Sequence, residues 1–472
     1  MFRSVGAVEW EPPAAASYAM NFGAESPRPQ YFDPPEIFCT DIVGWMPKWK
    51  KREVDVVVGG PPCQGFSALN RGKVRAERNE LWQEFIRVVV QLQPQVFVIE
   101  NVDRFVRSVE FGDLKARIGS GDLMNYRLVP PPGSSQDESE VGQARRYLLN
   151  AADYGALQAR RRAIVIGVRT DGDRCPDQMR YPAPTHSREA LVRRAGHGSL
   201  DLAVDLKPWL TVDELFRATA NWRPEGTELP PLAKEVSAGG VPGTFAGPYR
   251  TTELHITRNP EAVSLARYNA IPRGGNRKDL RGRFVCRFDN GESVITQKVG
   301  WRRDDDPRLR TLGTHRVVVN GAVTTRELSV RAVDVPLGSL GGGASRSKAQ
   351  SFGANVWDGH RERRAVVEYL STDAWDAHDA GAGDVMGRVR TGQPSVTIRT
   401  EFYKPEKGRY LHPSDDRPIT HYEAAKLQGF PDDFRWCGTK SDIAKQIGNA
   451  VPVPLARKIA ESIYTYLRVA SS

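Results

Sequence analysis

Cysteine is scarce in this chain. Its 472 residues include five, Cys39, Cys63, Cys175, Cys286 and Cys437. They are odd in number, far apart and without paired spacing, which argues against a disulfide framework or a zinc site and fits a reduced, cytoplasmic compartment. Long apolar runs are missing too. None approaches the roughly 20 residues of a membrane span, so no membrane partner is expected. The first residues lack the basic-then-apolar pattern of a signal peptide. No internal repeat is found. Acidic residues are outnumbered: 67 Lys and Arg stand against 57 Asp and Glu, a formal charge of +10. That excess favours a polyanionic partner such as nucleic acid, although many basic proteins bind none. The length exceeds one ordinary core and predicts two domains.

The most informative stretch is Val54 to Ser67. Val54, Val56, Val57 and Val58 read as a buried strand. Gly59 and Gly60 allow a sharp exit, and Pro61 and Pro62 stiffen it. Cys63 is thereby fixed at the carboxyl end of a strand, where open α/β sheets place their ligands. A lone cysteine is more often a buried structural thiol, but the rigid flanks argue for the active reading. Around it, Phe2 to Val8 leads into a strand, and Pro12 to Phe22 reads as a short helix opened by proline. Asn79 can cap a helix that turns Leu81, Trp82, Phe85, Ile86, Val89 and Leu92 inward and stops near Pro94. Val96 to Glu100 and Ala163 to Val168 read as further buried strands. Strands alternating with helices at this spacing predict a doubly wound, Rossmann-like α/β domain.

The character changes after about Arg180. Residues 186–390 are rich in Arg, Gly and Pro, with short β-like runs at Arg283 to Phe288 and His315 to Val319. They read as a separate mixed or β-rich domain. Two basic stretches, Pro272 to Arg283 and Trp301 to Arg310, suit phosphate and base-edge contacts, with a solvated loop as the bland alternative. Leu337 to Gly343 is glycine-rich but has no strand–helix context and reads as a loop. Thr420 and Glu423 have capping-box spacing, predicting a helix to Gly429. Pro454 opens a long helix with Leu455, Ile459, Ile463 and Tyr466 on one face.

A thiol at Cys63, an acid at Glu100 and cations at 160–162 form a sensible set for nucleophilic attack on an electron-poor ring. Pro61-Pro-Cys-Gln-Gly-Phe-Ser67, Glu100-Asn-Val102, Gln158-Ala-Arg-Arg-Arg162 and Gly448-Asn-Ala-Val-Pro452 resemble four signature motifs of the DNA cytosine carbon-5 methyltransferases, in that family's order. Arg417 to Pro431 resembles a fifth. The resemblance implies that Cys63 adds to carbon 6 of a flipped-out cytosine. It makes Glu100 the partner of ring nitrogen 3, and gives Arg160 and Arg162 the places of the family's two catalytic-loop arginines. S-adenosylmethionine is the implied cofactor. Glu9 would take its ribose hydroxyls, Trp10 would stack on its adenine, and Asp41 and Ile42 would read the adenine edge. Pro62, Leu81 and Asn449 match the remaining contacts. Trp10 by itself would pass for an ordinary core aromatic. The implied organisation is a catalytic domain at 1–185, a target-recognition domain at 186–435 and a returning segment at 436–472. The implied partner is double-stranded DNA, bound by a monomer that stands alone or works with a cognate restriction endonuclease.

Two departures are visible. Tyr422 stands where many bacterial members carry Arg. The family's first motif, a strand and a glycine-rich turn that cradles the cofactor, would precede Glu9, and only eight residues do. That strand is central in a doubly wound sheet, so unpaired strand edges are expected, from a late start or a truncated gene. Two alternatives follow: a DNA-binding remnant that cannot hold cofactor, and an RNA cytosine methylase, which the long segment at 186–390 disfavours.

Overall fold

The computed structural model describes residues 2–27, 32–61, 81–134, 138–172, 174–194, 206–231, 235–297, 309–319, 322–331, 351–377 and 384–468. Near the start, β1 (Gly6–Val8) and β2 (Glu36–Phe38) pair in parallel. Between them runs α1 (Pro12–Phe22), with prolines in its first turn, where a missing N–H leaves no bond unmade. A separate five-stranded sheet follows. It runs in the order β3 (Val56–Gly59), β4 (Val96–Asn101), β7 (Arg161–Arg169), β5 (Tyr126–Leu128), and β6 (Leu148–Asn150) also pairs with β7.

This is a mixed α/β fold with three features that bear on the sequence expectation: one departs from an all-parallel layer, and two are the unpaired strand edges anticipated above. First, β3 and β4 are parallel, but β7 runs antiparallel to β4. Second, β1 and β2 form their own pair, with no ladder to β3 among the described residues. Third, β3 is an edge strand: Val58 is 67% exposed, whereas Val96 to Ile99 of β4 are at most 3% exposed. An edge strand lacks the second neighbour that would cover it. One helix, α2 (Leu81–Leu92), joins the two sheets. Its Phe85, Ile86 and Val89 pack into the core of the five-stranded sheet. Its Val88 and Leu92 pack with Val54, Val5, Trp45 and Trp49 beside β1. Spacings of three and four residues put these side chains on adjoining faces of one helix.

The middle of the chain builds a six-stranded antiparallel sheet. Its order is β9 (Ser293–Ile295), β8 (Phe284–Phe288), β13 (Glu362–Tyr369), β12 (Ser351–Trp357), β11 (Ala322–Arg331), β10 (Leu309–Val319). Just beyond β9, the Gln297 N–H donates to the Thr314 carbonyl of β10 at 2.7 Å. The two edge strands therefore meet, and the sheet curls around Phe284, Cys286, Phe288, Leu328, Val356 and Val367. Meeting edges satisfy ladder groups that would otherwise invite other chains. The Leu370 N–H donates to the Arg283 carbonyl at 3.0 Å, so the chain enters and leaves this barrel at one place.

The basic stretch before the barrel is not the expected exposed patch. Arg277 is 4% exposed and donates to the Trp375 carbonyl. Arg281 donates to the carbonyls of Trp375 and Asp376 at 3.0 and 3.2 Å, and Arg283 to that of Ala270 at 2.8 Å. These guanidiniums satisfy the last carbonyls of two short helices, Ala262–Ala270 and Asp373–Ala377, which have no partner within their own helix. Trp301 to Arg308 and Leu337 to Gly343 lie outside the described residues.

The last elements match the sequence reading closely. In α3 (His421–Gln428), Thr420 Oγ1 accepts from the Glu423 N–H at 3.1 Å and Glu423 Oε2 from the Thr420 N–H at 2.8 Å. Gly429 closes the helix at φ +87°, a conformation that favours glycine. Tyr422 packs edge-on against Trp222, with ring centroids 4.7 Å apart. α4 (Lys440–Asn449) shares a core with Ile398, Phe402 and Leu427, while α5 (Val453–Arg468) lays Leu455, Ile459, Ile463 and Tyr466 on the five-stranded sheet. Arg435 and Cys437 already bond to Asn21 and Ser17 of α1, and α5 returns the chain to the five-stranded sheet.

His421 is buried, with Nε2 donating to the Lys440 carbonyl at 3.0 Å. Burial pulls its pKa down to about 4. A folded pKa below the ordinary 6.5 means the unfolded chain binds the extra proton first. The stability this neutral imidazole contributes is complete above about pH 6.5 and is lost towards pH 4, at roughly 1.4 kcal/mol per pH unit. His421→Gln, which keeps a donor but does not titrate, should unfold in urea with a visibly flatter pH dependence between about pH 7 and 5. An unchanged slope would assign that dependence to other groups.

Candidate active site at the strand ends

β3 and β4 run side by side and end together. Gly59 faces Ile99 across the ladder. A side chain at Gly59 would run into the Phe85 ring, 2.4 Å from an added Cβ, and one at Gly60 would crowd the Glu100 carboxylate at 3.1 Å. Glycine therefore lets the exit of β3 pass close to the acid. Asn101 Nδ2 donates to the Pro61 carbonyl at 3.0 Å, tying that exit to the end of β4. Pro62, Cys63 and Asn79 lie outside the described residues.

Glu100 projects from the end of β4 and forms an ion pair with Arg162 of β7, Nε to Oε1 2.9 Å. Both side chains are more than four-fifths buried. Burial raises the Glu100 pKa, and Arg162 and then Arg160 oppose the shift. A carboxyl held this way sits nearer to protonation than an exposed one, as a proton donor to a ring nitrogen should.

Arg160 is 2% exposed. Its guanidinium donates to the Ile398 and Gly448 carbonyls, each at 2.7 Å. Both terminal nitrogens are thus engaged by backbone carbonyls of two distant segments, an arrangement that suits positioning. Beside it, Gln158 Nε2 donates to Gln428 Oε1 at 3.0 Å, Gln158 Oε1 accepts from the Ile398 N–H at 2.8 Å, and Gln428 Nε2 donates to the Ile447 carbonyl at 2.6 Å. Gly448 allows the close approach: an added Cβ would stand 2.4 Å from Thr400 N. Sequence reasoning placed Gln158 and Gln428 in motifs but gave them no task.

The second group of expected residues lies at the ends of β1 and β2. Glu9 follows β1, and its N–H donates to the Phe38 carbonyl of β2 at 3.1 Å. Its Oε1 accepts from the Glu11 N–H at 2.9 Å, and burial raises its pKa. Trp10 is 67% exposed, so its indole is not the ordinary core aromatic. Asp41 follows β2, and its Oδ1 accepts from the Val43 N–H at 2.9 Å. Ile42 packs against the Val54, Val88 and Leu92 cluster. Arg87 of α2, which carried no sequence signal, donates to the carbonyls of Ile42 and Trp45 at 3.0 and 2.7 Å and holds that loop. Leu81 is half-buried at the start of α2, and Asn449 is exposed at the end of α4. A carboxylate beside an exposed indole suits the sugar and base of an adenosine. No group of three metal-ligating side chains occurs among the described residues.

A buried strand-end acid with its arginine partner, beside the tied exit of β3, marks the candidate site on this mixed α/β sheet. The chain belongs to the C-5 cytosine-specific DNA methylase family, whose model matches residues 1–197 and 339–465. Among curated relatives, it is 25% identical over 473 residues to the Type II methyltransferase M.AgeI of Thalassovita gelatinovora, covering 98% of this chain and 94% of that protein. It is 27% identical to M.XorII of Xanthomonas oryzae, over 89% of this chain and 70% of that one. It is 26% identical to DNA (cytosine-5)-methyltransferase 1 of Gallus gallus, over 88% of this chain. The chain spans about a quarter of the length of that protein and of its rat and mouse counterparts.

Proposed function

We propose that this chain transfers a methyl group from S-adenosylmethionine to carbon 5 of cytosine within a short sequence of double-stranded DNA. The observation that carries this is the Glu100–Arg162 pair beside the exit of β3, where Asn101 holds Pro61, the residue two before Cys63. S-adenosylmethionine, when bound, supplies the methyl group as an electrophile. Glu9 and Trp10 take its ribose and adenine, Asp41 and Ile42 line the adenine edge, and Pro62, Leu81 and Asn449 complete the contacts. Cys63 adds its sulfur to carbon 6 of a cytosine swung out of the duplex, since that atom is unreachable in the stack. Glu100 supplies the hydrogen bond or proton at ring nitrogen 3, so the ring accepts the electron pair, and Arg162 holds the carboxyl in place. Loss of the carbon-5 proton and departure of the thiolate restore the ring. The doubly wound reading treats β1–β2 and the five-stranded sheet as two parts of one Rossmann-like layer, with residues 186–435 as the target-recognition domain. A monomer in the cytoplasm, with or without a cognate endonuclease, fits the bacterial Type II relatives.

One observation favours a second reading, a DNA-binding remnant: among the described residues β1 and β3 each leave an edge unpaired, with Val58 bare beside the site. Calorimetry with S-adenosylmethionine, paired with labelled-methyl transfer into duplex DNA, separates the two. Saturable cofactor binding with methyl incorporation is expected. DNA binding with neither would leave only the remnant.

A further inference from the structure

We propose that Arg399 is a DNA-phosphate contact, presented beside the active site by a buried polar clamp. The inference rests on the DNA reading above.

The segment Thr397 to Thr400 is an irregular connection, yet the carbonyls of Thr397, Ile398 and Arg399 and the N–H of Ile398 are all held. Tyr410, 1% exposed, donates its hydroxyl to the Thr397 carbonyl at 2.9 Å. Gln158 takes the Ile398 N–H at 2.8 Å, and Arg160 takes the Ile398 carbonyl at 2.7 Å. The Arg399 carbonyl carbon and Thr400 N abut Gly448, 2.5 and 2.4 Å from where a Cβ would stand. Ile398 is 1% exposed and anchors the segment in the second core. Arg399 is the next residue and is exposed.

A loop so strongly fixed usually serves what it carries. No acidic side chain pairs with the Arg399 guanidinium among the described residues. Glu401, two residues on, is engaged by Lys404 and Lys407, and Glu100 of the site by Arg162. The sequence carries a net charge of +10, so a polyanion is drawn to this wall. The same Arg160 that holds Ile398 lies against the Glu100–Arg162 pair. A strand whose cytosine enters that pair must pass its own phosphates across the neighbouring surface. An arginine on a rigid backbone suits such a contact, because its forked donors match two phosphate oxygens. Phosphate contacts fix the register of the duplex without reading its sequence.

The test is duplex-DNA binding by the full chain over a salt series, for wild type, Arg399→Gln and Arg399→Lys. Arg468→Gln, at the far end of α5, is the control for simple loss of charge. Arg399→Gln should weaken binding about tenfold and lower the magnitude of the salt slope by about one. Arg399→Lys should recover most of the affinity. Melting temperature and S-adenosylmethionine affinity should stay at wild-type values in all three variants. If wild type binds with a steep salt slope and Arg399→Gln matches either wild type or Arg468→Gln, this contact is overturned while the DNA reading stands. A wild-type chain with no salt-dependent duplex binding overturns both.

Discussion

Cys63→Ser should abolish methyl transfer and, with it, the covalent complex that the wild type forms with duplex DNA containing 5-fluorocytosine. A serine hydroxyl is nearly isosteric with the thiol but far less acidic and less nucleophilic, so attack on carbon 6 fails while the surroundings persist. The expected loss is ~10⁴-fold or more in turnover. DNA affinity and folding should change little, since serine leaves the Gly59–Pro61 exit and its tie to Asn101 intact. The fluorinated base makes the measurement specific: fluorine cannot leave as a proton does, so the adduct accumulates and is visible as a band of reduced mobility. Full activity in the serine variant would remove Cys63 from the mechanism.

The second large effect is at Arg160. Arg160→Met should lower stability by roughly 3–5 kcal/mol, because two buried carbonyls lose their donor at once. Those carbonyls belong to Ile398 and Gly448, so the loss loosens the joint between the two cores. Chemical denaturation reads it directly. Arg160→Lys should restore only part of the stability, since one ammonium replaces a fork that spans two acceptors. An arginine that touched the base would behave differently: its loss would raise the KM for DNA and leave the denaturation midpoint near wild type. The two patterns are mutually exclusive for a side chain that is 2% exposed.

Local features were legible in the sequence because short-range physics decides them. The faces of α2 and α5, the prolines opening α1, and the Thr420–Glu423 capping box all depend on spacings of three or four residues. Glu100 at a strand end was legible for the same reason. What failed depends on distant partners. The antiparallel course of β7 is decided by which strands pair, and periodicity along one strand carries no such information. Arg160 read as catalytic because its two acceptors lie 238 and 288 residues away. Arg277, Arg281 and Arg283 read as a surface patch because the carbonyls they satisfy belong to a returning segment near Trp375 and to Ala270.

The barrel at Phe284 to Tyr369 imposes unusually little on its host. Its entrance and exit share one hydrogen bond, Leu370 to Arg283, and its interior is filled by its own side chains. Lengthening a hairpin, changing the outward residues or exchanging the unit leaves the entrance and exit together, so long as the seam of Val285 and Ile295 with Tyr268, Ile271 and Leu411 is kept. The Glu100–Arg162 pair and its clamp sit in other cores and do not register the exchange. Much of the barrel falls in 198–338, the interval that the family model leaves unmatched. Variation of that kind is cheap here for a mechanical reason: a plug with adjacent terminals can be replaced without rewiring the frame.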